Sequence, residues 1–488
     1  MEPNVAFAAL AETHSAVVVL FGDQAYKIKK PVLTDFLDFS TRSAREVACA
    51  RELELNRRFA PDVYLGIARL TEPADSAGEP VLVMRRLPEA TRLSDRLADP
   101  DVVRDTLPTL VRQVAAWHDR APQGVDVDSA ATVDAVRRRW RWLLSGLRCP
   151  PIEPAAVRSL ADSAMRYLDG RKALFDKRIA AGRIVDGHGD LRAEDIFVTD
   201  DGVRVIDCLD FDDELRHVDR LDDVCFLAMD LELRGHPELA AKFVDDYLEL
   251  THDPAPESLR HHYIAYRATV RAKVACVRQQ QGGATDSAAK AVAHVEIALR
   301  HLAAGAVRLV LIGGLPGTGK STVARRLADA TGAVLVSSDR IRADARARGV
   351  LAGGSGEYNQ GAYTPVAREH VYAVMRAEAQ ALLETGRSVI LDASWIDAEQ
   401  RRHAGRIATD TSADMIEICC SATQSIAHAR IAARTGSASE ATPAISDAMA
   451  EDHAAWPTAV VLDTAASLEN TTAAALRAYR RAERSGPS

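Results

Sequence analysis

Two stretches of this chain hold residues whose types and spacing can do phosphate chemistry. Gly314-Leu-Pro-Gly-Thr-Gly-Lys320-Ser321-Thr322 fills the pattern GxxxxGK[ST] between the apolar run "VRLVLIGG" and a segment of helical spacing. That is the context the pattern requires. Gly314, Gly317, Thr318 and Gly319 let main-chain N–H groups converge on phosphate oxygens, and a helix beginning at Lys320 adds favourable partial charge. Lys320 would reach the β- and γ-phosphates of ATP, and the Ser321 hydroxyl would ligate Mg²⁺. Thr322 completes the set. The second stretch, "HGDLRAEDIFVTDDGVRVIDCLDF", runs from His188 to Phe211. It places Asp190, four residues, Asp195, a hairpin around "TDDG", and Asp207. Such an order of carboxylates can face a hydroxyl acceptor and hold Mg²⁺.

The elements that must position these groups are legible on either side. Residues 15–30 read as two strands joined by a Gly-Asp turn. "TRSAREVACARELELNRRF" has helical spacing behind a polar start, and 79–87 reads as another strand. From about 100 to 185 the pattern is helical. Strands return at 196–198 and 203–207, and helical character resumes from about 220 to 302. From 307 the rhythm becomes strict β/α alternation, which predicts a doubly wound parallel sheet. The expected domains are therefore 1–305, α+β with a small β-rich lobe and a larger helical one, and 306–488, α/β.

The 488 residues are 47% apolar and 27% charged, ordinary globular usage. The net charge of −8 gives no global pull toward nucleic acid or anionic membrane. Seven cysteines without a CxxC pair fit small buried hydrophobes in a reducing compartment. "MEPNVAFAALAETHS" has no basic n-region, and no apolar run approaches the ~18 residues of a membrane span. The expectation is a cytoplasmic protein.

Residues 307–465 resemble the small-molecule P-loop kinases, the group of gluconate kinases, zeta-toxin-like kinases and polynucleotide kinases, through "GLPGTGKST", "SSDRIR", "VILDASW" and "RIAAR". The resemblance implies that Asp339, at the end of the second strand, faces the acceptor hydroxyl as its base or orienter. The same Asp339 also suits a helix N-cap. Asp392, ending "VILD", matches the position that holds Mg²⁺ through water, and also suits a strand-end cap. Arg430 and Arg434, one turn apart, would clamp phosphates or stack on adenine, or form a solvated basic face. Arg342 would touch the acceptor. "GVLAGGSGEYNQG", 349–361, reads as a mobile cover over the acceptor pocket.

Residues 10–300 resemble the aminoglycoside phosphotransferase family, relatives of protein kinases, through "HGD" and the hairpin ending at Asp207. The resemblance implies that Asp190 orients the attacking hydroxyl and that Asp195 and Asp207 hold metal. Lys27 or Lys29, Lys27 favoured, would pair with the α- and β-phosphates, with Glu52 as its partner and Glu46 as the alternative. "LVMRRLP" looks like the hinge strand against adenine, and Asp223 matches an Asp that braces the catalytic loop. Two departures stand out. Asp195 and Arg192 replace the family's Asn and common His, and no GxGxxG loop precedes Lys27.

The implied activity is a bifunctional ATP-dependent kinase with Mg²⁺, each half phosphorylating a small hydroxylated acceptor. The Asp195 departure motivates a second reading, in which the N-terminal half binds nucleotide without turnover and regulates the P-loop half. Two further readings are a nucleic-acid end kinase, suggested by "SSDRIR", and a nucleotide-gated binding module. Neither acceptor nor oligomeric state is legible.

Overall fold

A computed structural model describes residues 7–12, 15–33, 38–72, 75–280, 286–351, 364–433, 441–452 and 454–481. The chain divides into two compact units. The first comprises 1–152, 177–255 and 263–298; the second comprises 153–176, 256–262 and 299–488.

The first unit opens with five strands: β1 (Ala8–Glu12), β2 (Ala16–Phe21), β3 (Gln24–Lys29), β4 (Tyr64–Glu72) and β5 (Asp75–Arg85). They form one antiparallel sheet in the order β1-β2-β3-β5-β4. Sequence patterning predicts β2, β3 and β5 but not β1 or β4. β1 is largely exposed, and β4 carries a register shift at Gly66, so neither shows clean alternation. The helix Arg42–Asn56 starts where its polar entry predicts, with the Thr41 hydroxyl accepting the Ala44 N–H at 3.2 Å. The period of two puts Lys27 and Lys29 on one face of β3, and both reach Glu52 of that helix.

The rest of this unit is mainly helical, with two short ribbons: β6 (Ile184–Asp186) pairs with β9 (His217–Asp219), and β7 (Ile196–Thr199) with β8 (Gly202–Val205). β8 ends two residues before Asp207, so Asp207 does not terminate the strand as predicted. It stands in the left-handed region at φ 63°. The helix Arg220–Leu233 is buried on nearly every side; its central run Val224–Met229 is apolar, and Asp222, Asp223 and Asp230 are buried with it.

The second unit holds five parallel strands: β10 (Arg308–Gly313), β11 (Val334–Ser337), β12 (Val389–Asp392), β13 (Asp414–Ser421) and β14 (Val460–Asp463). Their order is β11-β12-β10-β13-β14. The chain leaves the central β10 toward one edge and returns to build the other, so the loop after β10 opens at a topological switch point. Val310, Ile312, Ile390, Ile416 and Ile418 pack with Val323 and Leu327 of the helix Lys320–Thr331 and with Tyr479. The alternation also contains the helices Ala398–Asp410, Pro443–Glu451 and Leu468–Arg481, which sequence patterning does not single out.

The helix Pro154–Asp169 is bound into this unit. Arg166 and Arg171 donate to the carbonyls of Ala413 and Thr411 at 3.1 and 2.7 Å. Gly170 lies so close that a Cβ there would sit 1.9 Å from the Thr411 carbonyl oxygen. Gly170→Ala is therefore expected to destabilise this unit by about 1–3 kcal/mol. Gly405→Ala, whose Cβ would meet only Met415 Sδ at 3.5 Å inside the helix Ala398–Asp410, is expected to be neutral or stabilising. Urea midpoints of the two variants check the contrast.

Candidate active sites

In the first unit the site is a knot of opposite charges. Lys27 Nζ lies 2.7 Å from Glu52 Oε1 and 3.0 Å from Asp207 Oδ1. Lys29 Nζ lies 2.8 Å from Glu52 Oε2 and 3.2 Å from Asp210 Oδ2. The structure thus brings Lys27, not Lys29, to Asp207. Glu46 pairs with the exposed Arg69 instead. Burial alone would lower the Lys27 pKa, but Asp207 and Glu52 outweigh it and hold the ammonium well above its ordinary value. Reciprocally, Lys27 holds Asp207 down at about 2. Asp207 is fixed through its backbone as well: its N–H donates to the Tyr64 hydroxyl at 3.0 Å, and the next N–H, of Cys208, donates to Asn56 Oδ1 at 2.9 Å.

The loop carrying Asp190 is gripped at both ends by one helix. Asp223 accepts the N–H groups of His188 and Gly189 at 2.7 and 2.8 Å, and His118 Nε2 at 3.1 Å. Asp230, two turns on, accepts the Ala193 N–H at 2.9 Å. The spacing of seven puts both carboxylates on one face of the helix Arg220–Leu233. Burial pushes the Asp223 pKa up, but the His118 and loop contacts prevail and hold it well below the carboxylate range. Burial keeps His188 neutral, so its Nε2 donates to the Ile206 carbonyl at 3.2 Å while Nδ1 accepts the Asp190 N–H at 3.4 Å.

Arg192 decides the electrostatics of this loop. Its Nη2 lies 3.1 Å from Asp190 Oδ2 and 2.8 Å from Asp195 Oδ2, and its Nη1 binds Glu194 Oε1. Asp195 is buried, and burial, reinforced by Asp207 and Asp190, raises its pKa well above the ordinary value despite Arg192. The approach of Arg192 to Asp195 Oδ2 is a charge contact off the hydrogen-bond axis, which leaves that buried oxygen without a hydrogen-bond donor. A buried oxygen donor lacking a hydrogen bond beside Asp207 fits a hard cation such as Mg²⁺.

In the second unit the loop after β10 is shaped for an anion. Among the described residues, no main-chain carbonyl takes the N–H groups of Gly317, Gly319, Lys320 or Ser321. They are the orphan donors of a helix start. Gly317 has φ 86°, and a Cβ there would lie 2.4 Å from the Ala427 carbonyl oxygen, so only glycine fits. Thr318 is bound into the loop, donating to the Leu315 carbonyl at 2.8 Å and accepting the Thr464 hydroxyl at 2.7 Å through its own carbonyl. Thr322 and Val323 donate to the Gly319 carbonyl and begin the helix.

Asp392 ends β12 as expected, in register with Ile312 and Ser337. Burial raises its pKa, opposed by Lys320 and by a hydrogen bond from Ser321. Its Oδ1 is buried without a partner, again an oxygen that suits Mg²⁺ together with the Ser321 hydroxyl. Asp339 departs from its predicted place. β11 ends at Ser337, and Asp339 lies in the first turn of the helix Ser338–Ala347, so it neither ends the strand nor caps the helix. Its Oδ1 accepts from Arg342 at 2.7 Å. Arg430 is tied to Thr464 at 3.1 and 2.7 Å, close enough that a Cβ on Gly319 would meet it at 3.5 Å. It belongs to the wall of the phosphate loop. Arg434 and most of the expected cover, 352–361, lie outside the described residues.

Residues 309–456 match the family model described as "AAA domain". Over 479 residues, 98% of this chain and 96% of the relative, the sequence is 44% identical to the uncharacterized protein Rv2004c of Mycobacterium tuberculosis (strain H37Rv). The same figures hold for the uncharacterized protein Mb2027c of Mycobacterium bovis. The chain belongs to the family of these mycobacterial proteins. Among solved structures, a sugar kinase from Janibacter sp. is similar at 19% identity, covering 37% of this chain and 99% of its own, with TM-score 0.30. A choline/ethanolamine kinase family protein from Mesorhizobium loti is similar at 14% identity, covering 62% and 93%, with TM-score 0.37. A GDP complex of aminoglycoside 2′-phosphotransferase-IIIa covers 62% and 95% at 13% identity, with TM-score 0.38.

Residues that sequence reading misses are mostly partners from distant segments. Tyr64, Asn56, Asp230 and Thr464 carry no local signal. Arg267 does: it recurs with Arg271 and Arg278 at helical spacing in "YRATVRAKVACVR". Arg267 pairs with buried Asp222 at 2.7 Å and donates to the Gly189 carbonyl at 3.2 Å.

The depressed pKa of Asp223 sets a stability–pH relation. Its contribution is complete above the unfolded aspartate value of about 3.9 and is lost as pH falls through the lower folded value. Asp223→Asn is expected to cost about 1.5–3 kcal/mol at pH 7, with the deficit narrowing below about pH 4. Urea unfolding at both pH values checks it.

Proposed function

We propose that this chain is a bifunctional phosphotransferase, each half moving the γ-phosphoryl group of ATP to a hydroxyl of a small acceptor with Mg²⁺. That it is an ATP-dependent kinase follows from the two architectures and from the phosphate loop in its strand-to-helix setting. The observation that carries bifunctionality is the repetition of one division of labour in unrelated folds. In 1–305, Lys27 faces phosphate, Asp195 and Asp207 suit the metal, and Asp190 is left for the acceptor. In 306–488, Lys320, then Ser321 with Asp392, then Asp339 take the same three parts.

In each half the acceptor oxygen attacks the γ-phosphorus, and the bond from that phosphorus to the β-γ bridging oxygen breaks. ADP leaves, and the acceptor proton passes to Asp190 or Asp339. Mg²⁺, when bound, neutralises charge on the β- and γ-phosphates. The protein's own share is positioning: Asp223 and Asp230 fix the Asp190 loop, and Glu52 fixes Lys27.

A second reading has specific support. Arg192 rests on both Asp190 and Asp195, and it competes there with metal and acceptor. In that reading the N-terminal half binds nucleotide, does not turn over, and sets the activity of the P-loop half. Neither reading involves a nucleic-acid or membrane partner.

Acceptor-dependent ADP release from wild type, Asp190→Ala and Lys320→Ala separates the readings. Bifunctionality predicts two acceptor classes, one losing roughly 10²–10⁴-fold with Asp190→Ala and the other about 10²–10³-fold with Lys320→Ala. Loss of every activity with Lys320→Ala, and of none with Asp190→Ala, supports the regulatory reading instead.

A further inference from the structure

The surroundings of Asp190 are basic in a way the phosphotransfer chemistry does not use. The helix Glu257–Gln280 touches the catalytic loop through Arg267, whose Nη1 donates to the Gly189 carbonyl at 3.2 Å. One turn further on the same face stands Arg271, half-buried, with no hydrogen bond or ion pair among the described residues. Arg278 follows two turns later on that face and is exposed.

Glu194 is bound by Arg192 and lies 3.8 Å from Arg234 Nη2, and Arg271 and Arg278 also stabilise its charge. Burial lowers the Arg271 pKa, with Arg192 and Arg278 adding to the effect while Asp190 and Glu194 oppose it, so Arg271 stands within electrostatic reach of the catalytic loop. His294 of the helix Ser287–Ala304 is within reach of Arg271 too, and its buried Nδ1 has no partner. Four arginines therefore flank Glu194, and two of them, Arg192 and Arg271, also reach the acceptor-facing Asp190. An unpaired, partly desolvated guanidinium favours an anion, since its fork matches carboxylate and phosphate oxygens.

We propose that the acceptor of the N-terminal site is an anionic polyol, a phosphate ester or carboxylate, held by Arg271 with its hydroxyl turned to Asp190. This rests on the phosphotransfer reading of that half. It sets the site apart from one built for a polycationic acceptor, which the unpaired Arg271 beside Asp190 would repel.

The test uses the full chain carrying Lys320→Ala, which silences the P-loop half. Sugar phosphates, aldonic acids, the matched neutral sugars and kanamycin are offered with Mg²⁺ and ATP. ADP release is followed, and binding of the same probes is measured by calorimetry. Turnover of the anionic probes is expected, the two anionic arms telling phosphate ester from carboxylate. Arg271→Gln should raise their KM roughly ten- to hundredfold, and Arg271→Lys should restore part of the loss. Turnover confined to neutral sugars or kanamycin overturns the proposal and leaves the phosphotransfer reading standing. So does an Arg271→Gln effect that falls on the KM of ATP rather than on the acceptor's. If no probe gives Asp190-dependent ADP release, the phosphotransfer reading fails, and calorimetry decides the anion site alone. Arg271-dependent binding of anionic probes then supports it, and no such binding overturns it.

Discussion

Carboxylates gathered in a low-dielectric space repel one another and stay assembled only beside a counter-charge. The first unit is organised around that constraint. Asp190, Asp195 and Asp207 come together because Arg192 and Lys27 stand among them. Lys27 in turn is held by Glu52, which serves Lys29 as well. Removing one member of such a network leaves the others uncompensated, which costs more than the pair itself contributes. In the proposed reading the same network is poised for exchange, because Mg²⁺ and nucleotide would bring a cation and anions to take over the parts of Arg192 and Asp207. A site held by its own ion pairs is thereby ordered in advance of its ligand.

The second unit meets the opposite demand with different means. There the ligand's negative charge is to be received, and the receiving groups are main-chain N–H donors at a helix start with one ammonium, Lys320. Side chains serve to shape the loop rather than to fill it. Thr464 joins Thr318 to Arg430, and close approach of the Ala427 carbonyl forbids a side chain at Gly317. Asp392 waits at the end of a fully buried strand with one oxygen unbonded. Burial works against its ionisation, and a cation on Ser321 and Asp392 would remove that penalty.

The phosphate loop was legible because all its working groups are contiguous, and its glycines are required by backbone geometry. The Asp190 loop was nearly as clear, since the three carboxylates fall within one short stretch and the Thr41 cap announced the helix that carries Glu52. What stayed hidden was set by long-range packing. Tyr64 and Asn56 fix the backbone at Asp207 from more than 140 residues away. β1 and β4 lack alternation because edge strands in this sheet are exposed or bulged. The left-handed conformation of Asp207 and the shift of Asp339 from strand end to helix first turn were invisible for a related reason. Both depend on where a strand stops, and tertiary contacts decide that more than local propensity does.

Triphosphate gripped separately by two unlike devices is the central claim, and a stoichiometry tests it most directly. The full-length chain is titrated calorimetrically with a non-hydrolysable ATP analogue in the presence of Mg²⁺. Two nucleotides per chain are expected, with Lys27→Ala abolishing one binding event and Lys320→Ala the other. A single event indifferent to Lys27→Ala would contradict the claim.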